Sequence, residues 1–182
     1  MFIENKLITN KNLTWTLRCP RKSDAEELSS LRVKIDGETE YLDREAGENL
    51  LTKDDFEKII AEDNSSNTSL FLLAEVEGQI IGFLRCAGNT LSRFRHKAEF
   101  GICILKDYWS YGIGRILIEN MLESMDSSEV KKITLTVVES NEKAIQMYKQ
   151  FGFIEEGLLI NDRIHKDGKY HNTVIMGRFS TK

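Results

Sequence analysis

The chain has 182 residues, 41% of them hydrophobic, which suits one globular domain with a sizeable core and would cramp two. A formal net charge of -4 gives no general attraction to nucleic acid or to an anionic membrane surface, and it mildly favours a cationic substrate. No apolar run approaches the roughly 20 residues of a membrane span, and Met1 to Asn5 lacks both the basic start and the apolar core of a signal peptide, so a cytoplasmic protein with no membrane partner is expected.

Leu13 to Arg18 alternates as a strand does, and Pro20 ends it. Ser23, with Glu26 three residues on, offers an N-cap for a helix whose apolar positions are Ala25, Leu28, Leu31 and Ile35. Residues 36–51 have no clear period and are expected to form an acidic loop carrying Glu38, Glu40, Tyr41, Asp43, Glu45 and Glu48. Thr52 can cap a second helix bearing Phe56, Ile59 and Ile60. After a polar turn at 64–68, the apolar runs 70–76 and 80–86 flank Glu77-Gly78-Gln79 and predict a hairpin. Cys19, Cys86 and Cys103 are odd in number, lack paired spacing and do not meet the three histidines at zinc-like spacing. Free thiols in a reducing compartment and no metal are therefore expected.

The most informative stretch follows a predicted strand over 96–105. Tyr108-Trp109-Ser110-Tyr111-Gly112-Ile113-Gly114-Arg115 places two glycines at the mouth of a helix whose apolar face is Ile113, Ile116, Leu117, Met121, Leu122 and Met125. Helix N-termini present unpaired N–H groups, and glycines let an anion approach the backbone closely. The dinucleotide fingerprint would need a third glycine where Ile116 and Leu117 stand, and the nucleotide-triphosphate loop would need a Gly-Lys-Ser/Thr ending. A strand over 132–139, a helix from Asn141 to about Phe151, and strands near 153–160 and 170–179 complete the chain. Strands first, then strand–helix–strand–helix–strand, predict an α/β fold with a mixed central sheet and helices on both faces, as one domain over 1–182.

The glycine loop, together with Asn141, Ala144-Ile145, Tyr148 and Gly152-Phe153 at their order and spacing, resembles the GNAT superfamily of N-acetyltransferases, over roughly residues 70–179. The variant is similar to the ribosomal-protein N-acetyltransferase-like and polyamine acetyltransferase-like branches. One departure is Trp109, where the family's loop commonly has Gln or Arg three residues before the first glycine. The resemblance implies the GNAT acyl-coenzyme A N-acyltransferase fold, with acetyl-coenzyme A as cosubstrate.

It also implies roles. Trp109, Ser110, Tyr111, Gly112, Ile113, Gly114 and Arg115 would bind the cofactor, the N–H groups from Tyr111 to Arg115 holding the pyrophosphate with charge added by Arg115, and Ile104 and Asn141 would meet the pantetheine arm. Tyr148 would protonate the departing thiolate, although a tyrosine at this helical spacing also suits a core. An amine must lose its proton before it attacks, and Glu99 is the candidate base; a solvated strand-end glutamate is the other reading. Glu38, Glu40 and Tyr41 fall in the segment that walls the acceptor site in the family. The implied reaction is acetyl transfer to the primary amine of a peptide N-terminus, a polyamine or another small molecule, by direct attack. A coenzyme A-binding regulatory domain without turnover is the alternative, and the dimers of many relatives leave a homodimer open.

Overall fold

The structure, a computed structural model, describes residues 1–180. Its strands are β1 (Lys6–Asn10), β2 (Leu13–Arg18), β3 (Leu70–Val76), β4 (Gln79–Gly88), β5 (Lys97–Ile104), β6 (Lys132–Val138), β7 (Ile154–Ile164) and β8 (Tyr170–Phe179). Its helices are α1 (Ala25–Glu38), α2 (Lys53–Ser65), α3 (Ile113–Asp126) and α4 (Glu142–Gln150). The strands form one mixed sheet in the order β1-β2-β3-β4-β5-β6-β8-β7. Every neighbouring pair is antiparallel except β5 and β6, which run parallel.

Side chains of β5 sort the helices onto two faces, because successive residues of a strand point to opposite sides. Phe100 meets Tyr148 of α4, and Ile102 and Ile104 lie against Gly114 of α3. Cys103 points the other way, into the field of Arg32 and Asp36 on α1, and Phe83 beside it packs edge-on against Phe56 of α2. One face therefore carries α1 and α2, the other α3 and α4.

Most predicted elements are present, with three differences. β1 was not expected; Lys11 and Asn12, at φ of 49° and 65°, make the tight left-handed turn that joins it to β2. Ser23 does not cap α1: it lies in a 3-10 turn over Lys22–Asp24, and the Asp24 carboxylate accepts from the Arg21 N–H and pairs with buried Arg18. α1 then runs to Glu38, past the expected loop boundary at 36. Thr52 caps α2 as expected, its hydroxyl accepting from Asp55 N–H while Asp55 returns the bond.

β5 and β6 pair only at Lys97↔Lys132, Ala98↔Ile133 and Glu99↔Thr134. Beyond Glu99 they part. The rest of β5 keeps its antiparallel partner β4 on one edge and faces an open gap on the other.

Candidate active site

The gap leads directly to the glycine loop, and the N-terminal hairpin holds that loop open. Asn10 Nδ2 donates to Tyr111 O at 3.0 Å, and Lys11 Nζ donates to Ser110 O at 2.7 Å. With two consecutive carbonyls tied to the β1–β2 turn, the loop's N–H groups turn the other way. Gly112 has φ +83°, a left-handed conformation that L side chains rarely adopt, and a Cβ there would stand 2.6 Å from Asn10 Nδ2. The first intrahelical bond runs from Ile116 N–H to Gly112 O. Among the described residues, the N–H groups of Tyr111, Gly112, Ile113, Gly114 and Arg115 find no acceptor. Five unpaired donors at the positive end of a helix form an anion cradle.

Gly114 differs from Gly112. Its φ is ordinary, and a Cβ would make normal contacts at 3.5 Å with Ile104 and 3.6 Å with Ile102. The Arg115 guanidinium turns to α4, where it bonds Gln150 and lies 5.1 Å from the Phe151 ring.

On the strand side, Leu105 N–H goes to Ile81 O at 2.9 Å, so the preceding peptide groups of Ile104 face the gap. Trp109, the residue at the family's Gln/Arg position, folds back and donates its indole Nε1–H to Ile104 O at 2.7 Å. That occupies the carbonyl and leaves the Ile104 N–H as the gap's donor. Across the gap, Asn141 caps α4 by accepting from Ala144 N–H at 3.3 Å.

Tyr148 is buried, its ring edge-on to Phe100 and Phe153 at centroid distances of 5.7 and 6.1 Å. Burial alone pushes its hydroxyl up to about 12, so at neutral pH it carries its proton. Glu99 stands where β5 and β6 part, exposed, on the face opposite Phe100. Gly101 follows on Glu99's face with nothing within 4 Å of where a side chain would begin, which leaves a hollow beside the gap.

The acidic loop crosses this second face as a strap. Glu38 accepts from Lys106 N–H at 2.7 Å, just past the end of β5. Glu40 accepts from Lys166 N–H at 3.1 Å and lies 3.4 Å from His165 Nδ1, while Arg163 donates to Leu42 O. Tyr41 is exposed between them. Both carboxylates are thus engaged by backbone donors.

Three participants escaped sequence reasoning. Asn10 and Lys11 belong to an unexpected hairpin, and only the Asn-Lys-Asn turn composition could have hinted at it. The third is a stacked pair, His165 and His171, with ring centroids 3.7 Å apart and 19° between planes. Both Nε2 atoms are buried without a hydrogen-bond partner among the described residues. Nothing in the spacing of the two histidines, six residues apart across a hairpin turn, announces the stack.

No helix among the described residues is long and apolar enough to cross a membrane. In comparisons with known proteins, the L-amino acid N-acetyltransferase AaaT of Escherichia coli is 32% identical over 108 residues, 59% of this chain and 66% of that enzyme. The spermidine N(1)-acetyltransferase of Vibrio cholerae is 29% identical over 103 residues, 56% of this chain and 58% of that enzyme. The matched segments thus span less than two-thirds of either relative's own length. The solved structure of an acetyltransferase of the GNAT family from Streptococcus pneumoniae superposes with a TM-score of 0.87 at 28% identity, covering 91% of this chain and 99% of that one. The family model for the acetyltransferase (GNAT) family matches residues 35–153, more than half of the chain, and the protein belongs to that family.

Proposed function

We propose that the protein is an acetyl-coenzyme A-dependent N-acetyltransferase acting on a primary amine of a small molecule or peptide by direct attack. The observation that carries this reading is the gap between β5 and β6, floored by unpaired backbone on β5 and ending at the five free N–H groups of residues 111–115. A pyrophosphate suits those donors, and an extended amide-bearing arm suits a strand edge that lacks its neighbour.

The division of labour follows from the two faces. The N–H groups of 111–115 hold the diphosphate; the Ile104 N–H and Asn141 meet the pantetheine arm. Glu99 takes one proton from the ammonium directly or through water, the free amine nitrogen then bonds to the thioester carbonyl carbon, and the adduct nitrogen gives its second proton to solvent. A backbone N–H near Ile104, distinct from the one that meets the arm, stabilises the oxyanion. As the C–S bond breaks, Tyr148 gives its proton to the sulfur and regains one from solvent. No covalent enzyme intermediate is required, and Cys103, buried with its thiol pushed up to about 12, is poorly suited to form one.

The edge strand β7 exposes Ile154, Leu158, Leu159, Ile160 and Ile164, and this apolar edge supports a homodimer, which sedimentation would measure. The activity itself is tested by calorimetric titration with acetyl-coenzyme A and by thiol release across amino acids, polyamines and N-terminal peptides. Saturable binding with amine-dependent release is expected. Absence of binding would sink the reading, and binding without turnover on any amine would hand the protein to the regulatory alternative.

A further inference from the structure

Arg32 sits on α1 with its Nε donating to both carboxylate oxygens of Asp36, at 2.8 and 2.9 Å, one helical turn further on. The Asp36 side chain is 3% exposed and that of Arg32 16%. A buried anchor therefore fixes the guanidinium at its inner end. Among the described residues neither Nη makes a hydrogen bond, so the outer edge of the fork is unused. Burial opposes the charge on Arg32, and the hydrogen bond to Asp36, with the fields of Cys103, Asp36 and Asp43, outweighs it and holds the guanidinium above its ordinary range.

The position matters as much as the fixing. Glu38 at the end of α1 accepts from Lys106 N–H just past β5, so Arg32, six residues earlier, lies over the α1 face of β5, and its charge reaches the Cys103 thiol beyond the point where β6 departs. Glu99, Gly101 and Cys103 share that face, with open space at Gly101 between the other two. One end of the hollow thus has a carboxylate, the other a preoriented cation. Glu38 and Glu40 of the strap accept backbone N–H groups, and Asp43, whose charge reaches the guanidinium, makes no hydrogen bond to it among the described residues, so the two Nη groups stay open.

A planar guanidinium edge with two free Nη groups matches a carboxylate, which it can bind through two parallel hydrogen bonds. A polyamine brings only ammonium groups, which this edge repels, and an internal peptide amide is neutral. The geometry points to an acceptor that carries a carboxylate beside its amine, a free α-amino acid, with Arg32 as the residue that selects it. This rests on the acetyl-transfer reading of the same cleft.

The test compares kcat/KM for L-amino acids, each beside its carboxamide and its decarboxylated amine, and for spermidine. The wild-type chain should favour the acids by about tenfold or more, since a site built for a charged partner discriminates strongly against its absence. Arg32→Gln should lower kcat/KM for the acids by about tenfold, mainly through KM, and change that for the amides less than about threefold. Because the single change strands the buried Asp36, the double variant Arg32→Gln/Asp36→Asn repeats the measurement with a neutral hydrogen-bonded pair, and unchanged acetyl-coenzyme A affinity certifies both as folded. Amides or spermidine used as well as acids by the wild type, or an acid preference that persists in a folded variant, would overturn the assignment while leaving acetyl transfer standing. Failure to bind acetyl-coenzyme A, or to acetylate any amine, would instead remove the acetyl-transfer reading and this one with it.

Discussion

The two faces of the sheet solve different problems with different materials. On the α3/α4 face, Phe100, Tyr148 and Phe153 interlock edge to edge, Ile102 and Ile104 seat against Gly114, and most of the polar groups offered to a ligand belong to the main chain. On the α1/α2 face, side chains carry the polarity: the Arg32–Asp36 pair, the strap acids, exposed Glu99 and a histidine stack with two unpartnered nitrogens. A donor arm can be held by backbone geometry, which demands only glycine where the chain turns left-handed and small or apolar residues where it is approached. An acceptor must be distinguished by charge and shape. On that face, side chains from segments as distant as Glu40 and His165 do meet.

On this division, substitutions on the first face should separate binding from chemistry cleanly. Tyr148→Phe is expected to have the largest effect, a fall in kcat of about a hundredfold with acetyl-coenzyme A affinity unchanged, because the ring contacts persist and only the proton donor is lost. Steady-state kinetics beside calorimetry checks it, and a wild-type kcat would return Tyr148 to the core. The same residue makes an alkaline signature. Its hydroxyl is raised to about 12 by burial against about 10 in an unfolded chain, so its contribution to stability is intact below pH 10 and is lost as pH climbs toward 12. Tyr148→Phe should flatten that part of the denaturation profile.

Glu99→Gln belongs to the second face and should cost about tenfold or more in kcat while abolishing the acidic limb of the pH–rate profile, since it removes a proton acceptor and leaves the exposed site otherwise intact. An unmoved profile would assign the proton to water. The glycines then split the first face further. Gly112→Ala meets both a left-handed backbone, at about 1–2 kcal/mol, and the Asn10 amide, so loss of stability and of binding would be confounded. Gly114→Ala meets only ordinary contacts and gains helix propensity of up to about 1 kcal/mol, so the protein should be no less stable. Because that methyl points to Ile102 and Ile104, its affinity for acetyl-coenzyme A should change by less than about threefold. A loss of affinity without a loss of stability would place the bound anion against the Gly114 Cα.

The same division explains what is legible in the sequence. The glycine loop, the α3 stripe and the Asn141 to Phe153 segment are local patterns, each fixed by neighbours within a turn or two, and each stands where its spacing put it. The strap was legible as acidic residues but not as a strap, because Glu38 and Glu40 find Lys106 and Lys166 only through the tertiary fold. Trp109 reads in the sequence only as a departure from the family's Gln or Arg; folded, it occupies the Ile104 carbonyl. β1 was missed since its exposed residues give no burial rhythm, and with it went the supports of the loop, Asn10 and Lys11. Arg32 was invisible for a related reason: an arginine four residues before an aspartate is an ordinary helical pair until the aspartate is seen to be buried.

The smallest expected effect tests whether the second face gives up stability for its polarity. Buried polar atoms without partners cost about 1–3 kcal/mol each, and the two Nε2 atoms of the histidine stack are of that kind. The Glu40 carboxylate, 3.4 Å from His165 Nδ1, gives His165 a second function in holding the strap, so His171 is the cleaner target. His171→Phe keeps a flat ring to stack on His165 and removes one unpartnered nitrogen. The variant should be more stable by about 1 kcal/mol, seen as a rise in Tm of about 2–4 °C for a chain of this size, with acetyl-coenzyme A affinity unchanged. A shift in acceptor KM without a shift in donor affinity would confine the effect to the α1/α2 face. A loss of stability would mean that His171 Nε2 is satisfied in solution, by an ordered water for example, and the wall would then be as well-packed as the face behind it.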